Sequence, residues 1–157
     1  MSRSLSSAAR QSVYAAETGE AFIILLTLSH ASLAIPIRVT SDAVVTTSRG
    51  NSFIPFPFDL ILPDDQDNRS PRARLVIDNV DRQIVQAVRS LSSAATVLIE
   101  IIRAASPDTV EAQFVDFKLT NVSYNAMRVE GNLTIEDFTS EPFPAASFSP
   151  SLFPGLF

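Results

Sequence analysis

Apolar residues follow a strand-like period over most of this chain. Phe22–His30 is continuously apolar at its centre, which is typical of a strand buried on both faces. β-branched or alternating runs recur at 37–40, 44–47, 58–62, 75–77 and 96–103, and three more lie between 110 and 138. The pattern predicts a mainly β domain of about seven to nine strands.

The period changes once, inside the stretch 72–91. After Asp78-Asn79, which provides an N-cap, the apolar residues fall on one face of an α-helix: Val80, Ile84, Val85, Val88 and Leu91. We expect one amphipathic helix at about 80–91 that packs on the sheet. The predicted fold is therefore a β-sandwich or a curved antiparallel sheet with one flanking helix.

Length and composition predict a single domain. With 157 residues, 46% of them hydrophobic, the chain can build one core and is short for two. We divide it into an N-terminal arm or short helix at 1–19, a β core with the helix at 20–138, and a C-terminal arm at 139–157. Residues 4–17 either form a thin helix capped by Ser4 or Ser6 or remain an arm.

No signal-peptide pattern precedes Phe22, and the apolar run that begins there is too short for a membrane span, so we expect synthesis in the cytoplasm.

Prolines and glycine mark irregular positions in the predicted sheet. Pro55 and Pro57 cannot donate hydrogen bonds to a ladder, which predicts a sheet edge or bulge at 53–58 and leaves three phenylalanines in need of an apolar partner. Ser106-Pro107-Asp108 predicts a turn. Gly131-Asn132 predicts a bulge or tight bend in the last strand.

Two segments are candidates for contacts with other molecules. The window 63–71 places acidic residues before basic ones, which predicts an exposed loop that contacts a symmetry-related copy by charge. A calcium loop is the alternative reading of Asp65-Gln66-Asp67-Asn68, but Arg69 occupies the next ligand position and the closing Glu is missing. The C-terminal arm combines four prolines with several large apolar side chains, so it lies along its own domain or, as we favour, fills a groove on a neighbour. The interface candidates are Phe53, Phe56, Phe58, Asp64, Asp65, Asp67, Arg69, Arg72, Phe143, Phe148, Phe153, Leu156 and Phe157.

Composition argues against several kinds of chemistry. The chain has no cysteine, one histidine (His30), no G-x-S-x-G elbow and no glycine-rich phosphate loop. We therefore predict no catalytic, cofactor-binding or metal-binding residue, and a structural role for His30. The net charge of −5 argues against a dedicated nucleic-acid binder, which needs a basic face.

Four stretches carry a resemblance to a known family. LSHASLAIPIRV, SRGNSFIPFPFDLILPDD, PRARLVIDNVDRQIVQAVRSL and EDFTSEPFPAASFSPSLFPGLF are similar to a family of small phage proteins found among the tail genes of long-tailed phages and prophages. The resemblance covers 21–157. It implies a minor tail protein of the tail tip, similar to tail-tube and distal-tail proteins, that repeats around the tail axis as a six-membered ring. It brings no catalytic motif.

On this basis we expect a structural virion protein whose ring joins the tail tube to the tip or baseplate. Its expected partners are further copies of itself, the tail tube protein and other tail-tip proteins, with DNA passing through the lumen without specific binding and with no membrane insertion. The alternative is a carbohydrate- or receptor-binding β-sandwich module of the tail, against which the absence of Trp and the presence of only Tyr14 and Tyr124 weigh. An enzyme ranks third.

Overall fold

The computed structural model describes residues 5–61, 72–78, 93–125, 128–135 and 155. The predicted helix at 80–91, the loop at 63–71 and nearly all of the C-terminal arm lie outside these ranges. The described residues form one helix and nine strands: α1 Ser7–Tyr14, β1 Phe22–Ser29, β2 Ile37–Thr40, β3 Thr46–Ser48, β4 Asn51–Pro55, β5 Phe58–Ile61, β6 Arg72–Asp78, β7 Thr96–Arg103, β8 Ser106–Tyr124 and β9 Arg128–Thr134. The mainly β fold of a curved sheet with one helix is confirmed, whereas the amphipathic helix expected at 80–91 stays a prediction.

The described helix is the N-terminal one. The Ser6 side chain accepts a hydrogen bond from the Ala9 N–H at 3.1 Å, which is the N-cap that the sequence offered. Ala9 is fully buried, whereas Val13 and Tyr14 are exposed. Of the two alternatives for residues 4–17, an arm or a short helix, the structure shows the helix, which packs on the domain through Ala9.

The nine strands form one mixed sheet in the order β3-β4-β2-β1-β7-β8-β9-β6-β5. All neighbours are antiparallel except the β2–β4 pair. In this order β4 lies near one end of the sheet, where it pairs with β2, and β5 lies at the other end, where it pairs with β6. Yet only Phe56 and Pro57 separate β4 from β5 along the chain. Three Cα–Cα steps span at most about 11 Å. The sheet must therefore curl until its two ends meet along 51–61.

Bulges in β8 supply part of this curvature. Asp116 and Asn121 have positive φ values of 64° and 52°, and each lies where two residues of β8 face one residue of the neighbouring strand. Such bulges bend a strand and increase its twist. The bulge predicted at Gly131 is therefore corrected: β9 pairs with β6 in unbroken register, and the extra residue opposite Gly131 belongs to β8.

The predicted turn at 106–108 is also displaced by two residues. Ser106 already pairs with Arg103, and the turn is formed by Ala104 and Ala105. A proline is tolerated there because it lies at the start of its strand.

Two apolar clusters lie on opposite faces of the sheet. The larger, on what we call the inner face, takes side chains from β1, β2 and β6 to β9, so the curled sheet wraps around it. The smaller, on the outer face, joins Phe53 of β4 to Ile23 and Leu25 of β1 and Ile102 of β7. The β3–β4 hairpin therefore folds back over the outer face, and its position determines which of its side chains remain exposed.

Candidate functional site

The three phenylalanines of the predicted interface find their apolar partners in their own chain. Phe53 is 2% exposed in the outer-face cluster, and Phe56 is buried in the inner-face cluster. Phe58 is half-buried against the inner-face cluster. Phe53 and Phe56 are thus buried within their own chain, and their role at an interface, like that of Phe58, stays a prediction.

The other predicted interface residues lie mostly outside the described ranges. Arg72 is the first residue of β6 and pairs with Thr134 of β9. The remaining ones stay predictions: Asp64, Asp65, Asp67, Arg69, Phe143, Phe148, Phe153, Leu156 and Phe157.

The β3–β4 hairpin has a regular two-sided pattern. Its turn residues Arg49 and Gly50 both have positive φ, 49° and 76°, as a two-residue type I′ turn requires. On the side that faces the sheet, Thr46, Ser48 and Phe53 are buried. The opposite side is exposed, because successive strand residues point to opposite faces.

A charged contact fixes the hairpin turn to the sheet. The Arg49 N–H donates to Asp108 Oδ1 at 2.5 Å, and Arg49 Nη2 donates to Glu100 Oε2 at 2.6 Å. The Ser48 hydroxyl donates to the Pro107 carbonyl at 2.7 Å. The hydrogen bond to Glu100 raises the pKa of Arg49, outweighing the opposite effect of burial. The turn is therefore held by an ion pair as well as by backbone contacts.

Glu100 is the buried half of that ion pair. Its side chain is 3% exposed, and its Oε1 atom has no hydrogen-bond partner within the described part of the chain. A buried carboxylate is costly unless it is paired. Among the described residues, the Arg49 guanidinium is the group that neutralises the Glu100 carboxylate.

The exposed side of the hairpin carries an apolar surface. Val44, Val45 and Ile54 are 63%, 57% and 60% exposed, and we call these three residues the hairpin patch. The next outward pair towards the turn, Thr47 and Ser52, is polar. Apolar surface rimmed by polar residues is typical of a contact site.

Strand β5 provides a second candidate surface. It pairs with β6 on one side, and on the other side it has no strand partner among the residues that the structure describes. Asp59 and Ile61 point outward, and Ile61 is 63% exposed. An unpaired strand edge can accept a strand from another chain.

A second charge network attaches α1 to the sheet. The Glu111 carboxylate, 1% exposed, accepts hydrogen bonds from the Ser6 N–H and hydroxyl and from Arg103 Nε, each at 2.8 Å. Burial alone raises the pKa of Glu111, but the hydrogen bonds from Ser6 and Arg103 together outweigh it and lower that pKa. Arg103 also reaches Glu20 at 3.5 Å.

His30 makes two hydrogen bonds to neighbouring segments of the chain. Its Nδ1 atom accepts a hydrogen bond from the Ser32 N–H at 3.0 Å, so the proton lies on Nε2, which donates to the Ser93 hydroxyl at 2.7 Å. These contacts tie the end of β1 to the segment before β7.

The sequence reading missed both buried glutamates. Glu100 interrupts the apolar run TVLIEIIR, and a charge at an otherwise buried strand position is a signal that a partner is needed. In the described ranges, no group of three His, Cys, Asp or Glu residues could hold a metal ion. No helix within them is long and apolar enough to cross a membrane.

The described part of the chain contains a fixed hairpin, an apolar patch and a strand edge with no described strand partner, which are features of a contact surface. No curated protein matches this chain. The family described as "Domain of unknown function (DUF1833)" matches residues 8–148, which include all nine described strands. The chain therefore belongs to the DUF1833 family.

Proposed function

We propose that this chain is a structural protein of a bacteriophage tail tip, and that identical copies form a closed ring that joins the tail tube to the tip or baseplate. The four stretches that resemble small phage tail proteins support the assignment to a tail. The geometry supports association rather than chemistry, because the exposed features of the described surface are an apolar patch and an unpaired edge.

The observation that carries the proposal is that these two surfaces differ. The hairpin patch is apolar side-chain surface on β4 and on the residues just before β3, whereas β5 has an edge with no strand partner among the described residues. Two different surfaces on one chain favour head-to-tail contacts between copies. Head-to-tail contacts generate a ring when the rotation between neighbours closes.

The net charge is compatible with a lumen that DNA crosses. The chain carries a formal charge of −5. An acidic ring repels the phosphate backbone, so that DNA slides through without binding. The predicted partners are the tail tube protein on one side of the ring and other tail-tip proteins on the other.

The proposal is tested by the oligomeric state of the full-length protein and by its presence in particles. Sedimentation velocity and negative-stain electron microscopy of the purified protein should show a closed ring, and mass spectrometry of purified virions should detect the chain. A protein that is monomeric at all concentrations and absent from virions would contradict the proposal.

A carbohydrate- or receptor-binding module is the second candidate. The observation in its favour is Tyr14 at the end of α1, a residue that is 85% exposed and offers an aromatic ring on which a sugar can stack. Glycan-array binding that is lost on substitution of Tyr14 by Ala, with the monomer as the active species, would favour this alternative over the ring.

A further inference from the structure

The exposed side of the β3–β4 hairpin carries two pairs of residues of opposite character. Thr47 pairs with Ser52, and two positions further from the turn on the same side lie Val45, just before β3, and Ile54 of β4. Both pairs point away from the sheet, and both are exposed. The apolar pair, with Val44 next to it, lies at the base of the hairpin, and the polar pair lies towards the turn.

Nothing in the described part of the fold covers this apolar pair. Exposed positions near sheet edges normally carry polar or charged residues, which prevent association, as Thr47 and Ser52 do here. Three β-branched apolar side chains that are each more than half exposed have the opposite effect. The hairpin patch is therefore suited to being covered by another segment.

The hairpin patch lies on a fixed support. Arg49 anchors the turn to Glu100 and Asp108, and Phe53 inserts into the outer-face cluster directly behind the patch. A surface that is already ordered loses little conformational entropy when a ligand binds to it. The hairpin can thus bind an extended segment without rearranging.

We propose that the hairpin patch binds the C-terminal arm (139–157) of an adjacent copy, an inference that rests on the proposed ring. The described core ends at Ile135, and 22 residues follow it. Fully extended, they reach up to about 70 Å, against a radius of gyration of about 15 Å for a compact domain of this length. The arm is therefore long enough to reach a neighbouring domain.

The composition of the arm matches the hairpin patch better than it matches the β5 edge. Strand addition at an edge uses backbone N–H groups, and the prolines at 142, 144, 150 and 154 have none. Large apolar side chains between and after these prolines can bind instead by covering exposed apolar side chains: Phe143, Phe148, Phe153, Leu156 and Phe157. Proline-rich segments recognise apolar surfaces in this way because their extended form is already favoured.

Complementation between two defective full-length variants tests the proposal. One variant, Val45→Asp with Ile54→Asp, removes the hairpin patch, and the other, Phe148→Ser with Phe153→Ser, weakens the arm. The matched control, Thr47→Asp with Ser52→Asp, places the same charges on the polar pair of the same hairpin. Native mass spectrometry and sedimentation velocity report the oligomer, and far-UV circular dichroism reports that each variant is folded.

If each interface uses the hairpin patch of one copy and the arm of another, each variant has its own expected oligomeric state. The patch variant and the arm variant each lose the ring, whereas the control keeps it. An equimolar mixture of the two defective variants gives 1:1 heterodimers and nothing larger, because one intact interface remains possible.

Two results would overturn the inference. If the wild type forms rings and the patch variant forms them equally well, the hairpin patch is not the contact, although the proposed ring stands. If both defective variants are folded and monomeric and their mixture contains no heterodimer, the arm does not bind a neighbour at this surface. A wild type that never forms rings contradicts the proposed function and this inference together.

Discussion

Replacing Arg49 by Gln should destabilise the protein far more than replacing an arginine whose acidic partner lies at the surface. Arg49 is the partner of Glu100, whose side chain is 3% exposed and whose second oxygen already lacks a described partner. Removing one partner of a buried ion pair costs about 3–5 kcal/mol. Arg49 itself is 40% exposed, and water screens its half of the pair. We therefore expect a loss of about 2–3 kcal/mol, or about 4–12 °C in melting temperature for a chain of this length.

The assay is urea denaturation followed by far-UV circular dichroism at a fixed protein concentration, since association changes apparent stability. The control is Arg74→Gln, because Arg74 pairs with Glu130 at 2.7 Å on the surface, with 56% of the Arg74 side chain exposed. That pair should contribute less than about 1 kcal/mol. The double variant Arg49→Gln with Glu100→Gln removes the buried charge as well, so its loss should be smaller than the sum of the two single losses.

Two results would refute the reasoning about this contact. One is an Arg49→Gln variant that loses no more free energy of unfolding than Arg74→Gln. The other is strict additivity of the two single substitutions, which would mean that the Arg49 and Glu100 side chains do not interact. In either case the hairpin would be held by the outer-face cluster and by backbone contacts alone.

Two further predictions concern β9 and α1. An alanine Cβ at Gly131 would lie 2.5 Å from Leu119 Cδ1, so Gly131→Ala should cost about 1–3 kcal/mol of unfolding free energy, whereas Gly19→Ala, with no atom within 4 Å, should not destabilise the protein. If Gly131→Ala leaves the free energy of unfolding unchanged, Leu119 can move aside and the reasoning is wrong. Glu111 has a folded-state pKa below its ordinary value of 4.5, so the stability it provides is complete above that pH and is lost as the pH falls through the lower, folded-state pKa. Urea denaturation from pH 6 to pH 3 should therefore show a weaker pH dependence for Glu111→Gln than for the wild type, and an equal dependence in the two proteins would contradict the contact with Ser6 and Arg103.

The local pattern of apolar and polar residues was sufficient to predict the bounds of the central strands. The predicted bounds at 37–40 and 96–103 match β2 and β7, and the doubly buried strand at 22–30 matches β1 within one residue. In these strands the side chains are buried on one or both faces, so their polarity directly reflects the environment. The Ser6 N-cap was equally visible, because capping depends on neighbouring residues alone.

The curl of the sheet was not visible in the sequence, because it depends on pairings between distant segments. β5 pairs with β6 and β4 with β2, and only the two pairings together show that the ends of the sheet meet. The same limit applies to the phenylalanines: the prolines at 55 and 57 indicated an irregular strand, but not that Phe53 packs on the outer face. The contact between Arg49 and Glu100 joins residues 51 positions apart, which no local pattern reports.

The central claim, that identical copies of this chain form a ring, is tested most directly by native mass spectrometry of the purified full-length protein combined with class averages from electron microscopy. The account predicts one closed oligomer of defined copy number, six by the resemblance to tail-tube and distal-tail proteins, with a central lumen. A single species at the 17.1 kDa mass of the monomer across the accessible concentration range, with no ring in the images, would contradict it.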